Sequence, residues 1–152
     1  TSTEQINNFE STLHELNENS KQIVSYSYEM ENSIFVILAK LEHILYKSRA
    51  YNSIMSLQPL LETLTPHQCR LGEWYDNEGR ERFSKTASYS KITAPHKVVH
   101  DNANENLKFL ESNAEESTLQ NSQQIVDNFN RMEDASDELF TLLDKMLAES
   151  KS

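Results

Sequence analysis

Apolar residues recur at alternating steps of three and four from Ile6 onward: Phe9, Leu13, Leu16, Ile23, Met30, Ile34, Ile37, Leu41, Ile44 and Tyr51. Ser20, Ser27 and Ser48 interrupt this seam, and no Pro or Gly occurs before Pro59. A heptad pattern sustained in this way predicts one long helix or two nearly continuous ones. Up to about Ser25 the helix is apolar on the seam only, as in a signalling coiled coil. From Ile34 to Tyr46 it reads as apolar nearly all round, which predicts a helix inside a bundle core. Two further amphipathic helices follow. One begins at Pro95 and carries His96, Val99, His100, Ala103, Leu107 and Leu110 on one face. The last has a seam of Ile125, Phe129, Met132, Leu139, Leu143 and Met146. Between these helices, the polar run from Glu111 to Asn121 predicts a break near Ser112 to Thr118.

Residues 57 to 92 form the irregular stretch. Thr65-Pro66-His67-Gln68 reads as a capping-box start with Pro at the first helical position, opening a helix kept short by Gly72. Asn77 to Gly79 reads as a turn. Four substantial helices with one broken connection predict an all-α fold, an antiparallel four-helix bundle with a short Cys-bearing helix in the connection. The expected division is residues 1–26 as a coiled-coil signalling helix or linker and 27–150 as the helical bundle. The chain opens on Thr1 already in helical pattern, which reads as a piece of a longer protein.

Composition narrows the function. With 152 residues, two Gly and three Pro, the chain favours helix over sheet and is long enough for one core. A formal charge of −10 argues against a nucleic-acid surface or an anionic membrane as partner. No apolar run approaches the roughly 20 residues that span a bilayer. A single Cys excludes an internal disulfide and fits a reducing compartment, the cytoplasm.

The chemistry concentrates in four residues. His96 and His100, four apart on one helix, place two imidazoles on the same side. On an otherwise apolar face, unpaired imidazoles are costly unless something binds them. His43 shares its face with Val36, Ala39, Tyr46 and Ala50, where a core histidine with a hydrogen-bond partner is the plainer reading. Cys69, alone, would read as an inert thiol. Jointly, three imidazoles and one thiolate make the donor set of a closed tetrahedral zinc site. His67 competes poorly, being two residues from Cys69 on a short helix, and His14 falls on a polar face. Trp74 and Tyr75 read as a plug that fixes the Cys69 segment, together with Gly72. Met30, Met132 and Met146 read as seam packing.

These residues resemble the signature of the chemoreceptor zinc-binding domain family, CZB. That signature is a helical His (His43), a Cys-Arg-x-Gly-x-Trp-Tyr segment (Cys69-Arg70-Leu71-Gly72-Glu73-Trp74-Tyr75) and Pro-His-x-x-x-His (Pro95-His96-Lys97-Val98-Val99-His100). The resemblance covers roughly residues 27 to 148. It implies a cytoplasmic regulatory domain of a bacterial chemotaxis receptor, not an enzyme, with Zn²⁺ held by His43, Cys69, His96 and His100. It also implies a homodimer attached to an N-terminal signalling module of the same polypeptide, and redox sensing by Cys69 toward oxidants such as hypochlorous acid. The alternative is a zinc-responsive or structural dimerisation domain of a diguanylate cyclase or another signalling protein. A zinc hydrolase needs an open coordination position, which four protein ligands do not leave. A di-iron bundle needs paired Glu-x-x-His motifs, which are absent.

Overall fold

The computed structural model describes residues 1–151. It is all-helical, with no strand among the described residues. Helix α1 spans Ser2–Ser56, α2 Arg70–Trp74, α3 Arg80–Phe83, α4 Thr93–Lys108, α5 Ala114–Gln120 and α6 Ser122–Glu149. A π-helical turn, Tyr75–Gly79, joins α2 to α3, and a 3₁₀ turn, Tyr89–Lys91, precedes α4. The chain divides into two compact units, Thr1–Phe35 and the residues from Val36 onward.

The first unit is a single helical stretch. Ile6, Phe9, Leu13, Leu16, Ile23 and Met30 are all exposed. Met30 is therefore not packed in this chain, although Met132 and Met146 are fully buried in the second unit.

In the second unit, α6 supplies the central apolar stripe. Ile125, Asn128, Met132, Ala135, Ser136, Leu139, Leu142, Leu143 and Met146 are buried at helical spacing. One part of the core joins Leu139, Leu143 and Met146 to Val36, Ala39, Leu71, Phe83 and Ile92. The other joins Met132 and Ala135 to Ala50, Val99 and Ala103. Polar pairs fix the register. Lys40 pairs with Asp144 and Lys47 with Glu133, so α1 from Val36 onward and α6 run in opposed senses. Buried Asn128 donates to buried Asn106 (2.8 Å), whose amide donates to the Ile125 carbonyl. Each of these amides would be costly to bury alone; together they are paired.

Several expectations need correction. Between Ile34 and Tyr46, α1 is not buried all round: Ile37 is 56% and Leu41 51% exposed, and Leu38, Ile44 and Leu45 are exposed too. The flank facing the core of the second unit is Val36, Ala39, His43 and Ala50, offset from the heptad seam. The helix anticipated at Thr65 begins at Arg70, with Cys69 as its N-cap. The Gln68 side chain does reach the Thr65 N–H (3.0 Å), but this closes a turn rather than opening a helix. Asn77 to Gly79 lies within the π-helical turn, α4 begins two residues before Pro95, and part of the anticipated break is helix α5. The connection after α4 instead turns through Asn113, which has a positive φ of 42°.

α1 ends in a Schellman arrangement. The Gln58 N–H donates to the Ser53 carbonyl and the Leu57 N–H to the Ile54 carbonyl. The left-handed position that usually takes Gly is occupied by Leu57, at φ 56°.

Candidate metal centre

Three elements of the second unit bring the candidate ligands together. α4 presents His96 and His100 one turn apart, both buried, with ring centroids 4.9 Å apart. The loop before α2 brings Cys69 against them, its Sγ 3.2 Å from His96 Nε2. Donor atoms of Cys69, His96 and His100 all lie within 4.8 Å of one another. His43, on α1, is buried beside them, its ring centroid 6.4 Å from that of His96, and does not complete this set. Its Nε2 lies 3.2 Å from Ser136 Oγ, and Phe140 packs edge-on at 5.5 Å.

The Cys69 segment is placed by close backbone approach. A Cβ at Gly72 would stand 1.8 Å from the Pro66 carbonyl oxygen, so only Gly lets α2 seat on the Pro66–His67 turn. The Gly72 N–H donates to Cys69 Sγ at 3.3 Å. Tyr75 stacks on Tyr89 at 4.3 Å, and each hydroxyl donates to the other residue's backbone carbonyl. Trp74 packs on Phe83, and a Cβ at Gly79 would crowd the Trp74 ring. These contacts tie the Cys segment to the turn that leads into α4.

His100 has a fixed tautomer. Its Nδ1 donates to the Leu64 carbonyl (3.1 Å), which also accepts from Asn104. A carbonyl only accepts, so Nε2 of His100 carries the lone pair. His67 is exposed and bonds Asp76. His14 is exposed in the first unit.

Burial sets the protonation states. Desolvation, reinforced by neighbouring cations and imidazoles, lowers His43 to about 3 and His96 to about 3. Desolvation also lowers His100 to about 4, against the opposing pull of the Leu64 carbonyl. All three rings are neutral at physiological pH, as a metal requires. Burial pushes the Cys69 thiol up, while backbone N–H groups at the start of α2 pull it back.

A cavity of about 360 Å³ opens beside the cluster, lined by His43, Tyr46, Cys69 and His100 among others. The Tyr46 hydroxyl is buried there without a hydrogen-bond partner, its ring 4.5 Å from that of His100. A half-buried thiol and neutral imidazoles converging on one point fit a metal of zinc type, which favours mixed N and S donors. The set can hold a metal.

Two positions carry weight here that sequence reasoning passed over. Ser136 is a lone hydroxyl in the apolar stripe of α6, and that mismatch is a readable signal. The Leu64 carbonyl is backbone, so no residue type announces it.

No curated protein and no solved structure gives a significant match to this chain. Residues 43–107, the span that opens on His43 and takes in Cys69, His96 and His100, match the family described as the chemoreceptor zinc-binding domain, CZB.

Proposed function

We propose that this chain is a zinc-binding sensory domain of a bacterial chemotaxis receptor, in the cytoplasm, regulatory rather than catalytic. The observation that carries the reading is the convergence of half-buried Cys69 with buried His96 and His100 within 4.8 Å. His43 is the fourth ligand in this reading, giving a closed set of three imidazoles and one thiolate. The fold is read as an antiparallel four-helix bundle. The opposed senses of α1 and α6 support this, as does the fixed register of α4 on α6. The exposed apolar seam of α1 supports a homodimer, because a contiguous exposed apolar stripe marks an interaction surface.

Bound zinc supplies the positive charge that keeps a half-buried sulfur as thiolate at neutral pH. The residues then divide the work. His96 and His100 sit on a long helix, and the Leu64 carbonyl holds the His100 ring in one tautomer. Cys69 sits at the end of a loop, where a change at sulfur is felt by the segment it starts. With hypochlorous acid as oxidant, the Cys69 thiolate takes up its hydroxyl group and chloride leaves, sulfur losing the two electrons that chlorine gains. The resulting sulfenic acid condenses with a cellular thiol, releasing water, and a second thiol restores Cys69 as the disulfide leaves.

The test is the metal content of the native protein and of Cys69→Ala, before and after brief hypochlorous acid treatment, with mass spectrometry of Cys69. About one zinc per native chain, with Cys69 oxidised and then restored by thiol, is the expected result. Zinc with an unreactive Cys69 would reduce the proposal to a zinc sensor or structural site. No metal would overturn it.

A further inference from the structure

We propose that Ser136 is a positioning residue of the metal centre: its Oγ accepts the Nε2–H of His43 and so presents His43 Nδ1 to the metal. This rests on the reading of His43 as the fourth ligand.

The argument starts from α6. Ser136 is 1% exposed, next to Ala135 and within one turn of Met132, Leu139 and Phe140. A buried hydroxyl in such a stripe needs a partner. Elsewhere helical hydroxyls bond the carbonyl one turn back, as Ser53 does to Arg49 and Ser56 to Asn52. Ser136 instead meets the His43 ring, 93 residues away in sequence, at 3.2 Å. Phe140, one turn further along α6, packs against the same ring. Two α6 side chains therefore hold one imidazole, Ser136 at a nitrogen and Phe140 at the ring.

His100 displays the same device in a form that admits one interpretation. A backbone carbonyl takes its Nδ1–H and leaves Nε2 for the cluster. A metal-bound histidine nearly always donates its other N–H to such a partner. At His43 the engaged nitrogen is Nε2, and with Ser136 as the acceptor there the lone pair left for the metal is on Nδ1. The two histidines are thereby set in opposite tautomers, and His43 approaches through the nitrogen nearer its own helix. The hydroxyl of Ser136, an acceptor as well as a donor, fits this role with no rearrangement of the observed pair.

Long-range ¹H–¹⁵N correlation spectra of the ¹⁵N-labelled, zinc-loaded protein report which nitrogen of each histidine holds metal and which holds hydrogen. The expected result is His43 bound through Nδ1 with Nε2 protonated, and His100 bound through Nε2. Metal on His43 Nε2 would overturn the role of Ser136 and leave the four-ligand reading standing. No zinc-dependent change at either His43 nitrogen would overturn both. As a second measurement, Ser136→Ala should keep the helical circular dichroism of the native chain and lose roughly 10- to 100-fold in zinc affinity by chelator competition. An affinity unchanged within about twofold would reject the positioning role.

Discussion

Cys69 Sγ and His96 Nε2 stand 3.2 Å apart, although one atom belongs to a loop and the other to a sixteen-residue helix. What brings them together is the seating of α2 on the Pro66–His67 turn, which depends on the missing side chain of Gly72. Sulfur placement is thus a property of backbone packing one step removed from the ligand.

Gly72→Ala tests that dependence. The added Cβ would stand 1.8 Å from a backbone oxygen, so α2 must lift away. Overpacking of this kind costs about 1–3 kcal/mol. Zinc affinity should fall more than about tenfold, because the sulfur moves with the segment. Chelator competition and thermal unfolding measure the two effects; native affinity in a folded Gly72→Ala protein would refute the seating argument.

The pH dependence of the chelator-treated protein follows from the three buried rings. His43 and His96 titrate at about 3 and His100 at about 4 in the fold, against an unperturbed 6.5. Between those limits the unfolded chain binds more protons than the folded one, so stability falls as pH falls. It is fully present above about 6.5 and lost progressively down to about 4 for His100 and about 3 for His43 and His96. At pH 5 the loss is on the order of 2 kcal/mol per ring. Urea unfolding from pH 7.5 to 4.5 should show this slope, and His96→Gln should flatten it; equal slopes would count against neutral burial.

Leu57→Gly should stabilise the protein. Leu57 holds a left-handed conformation at the end of α1, where a side chain costs about 1–2 kcal/mol. Gly removes that strain and gives part of the gain back as unfolded-chain entropy, for a net gain of about 0.5–1 kcal/mol. A lower melting temperature would show that the Leu57 side chain contributes more by packing than its backbone costs.

Tyr46→Phe removes a buried hydroxyl that has no partner. Relief of an unpaired polar group is worth about 1 kcal/mol, so the chelator-treated variant should melt higher than the native chain. A decrease of similar size would reveal a bond made by that hydroxyl in solution.

Helix α1 was legible because Gly and Pro are absent from its length and its apolar spacing is regular. Which side it buries was not legible, because a heptad seam marks a surface that wants covering without naming what covers it. Ile37 and Leu41 lie on the seam and are exposed, while Ala39 and His43 turn inward. His96 and His100 were legible from their spacing, and Cys69 from the Cys-Arg-x-Gly-x-Trp-Tyr run. The start of its helix was misplaced because Thr65, Pro66 and Gln68 are good capping residues that here close a turn, leaving the cap to Cys69. The π-helical turn left no sequence signal beyond Gly79, which stands against Trp74.

Cys69 is at once a candidate ligand and the residue whose side chain accepts the N–H of Gly72, the third residue of α2. In the proposed oxidation that same sulfur takes on the oxygen, so the reaction would act directly on the atom that caps α2. Chemistry and conformation would then share a single atom, with no relay between them: a fuse rather than a lever.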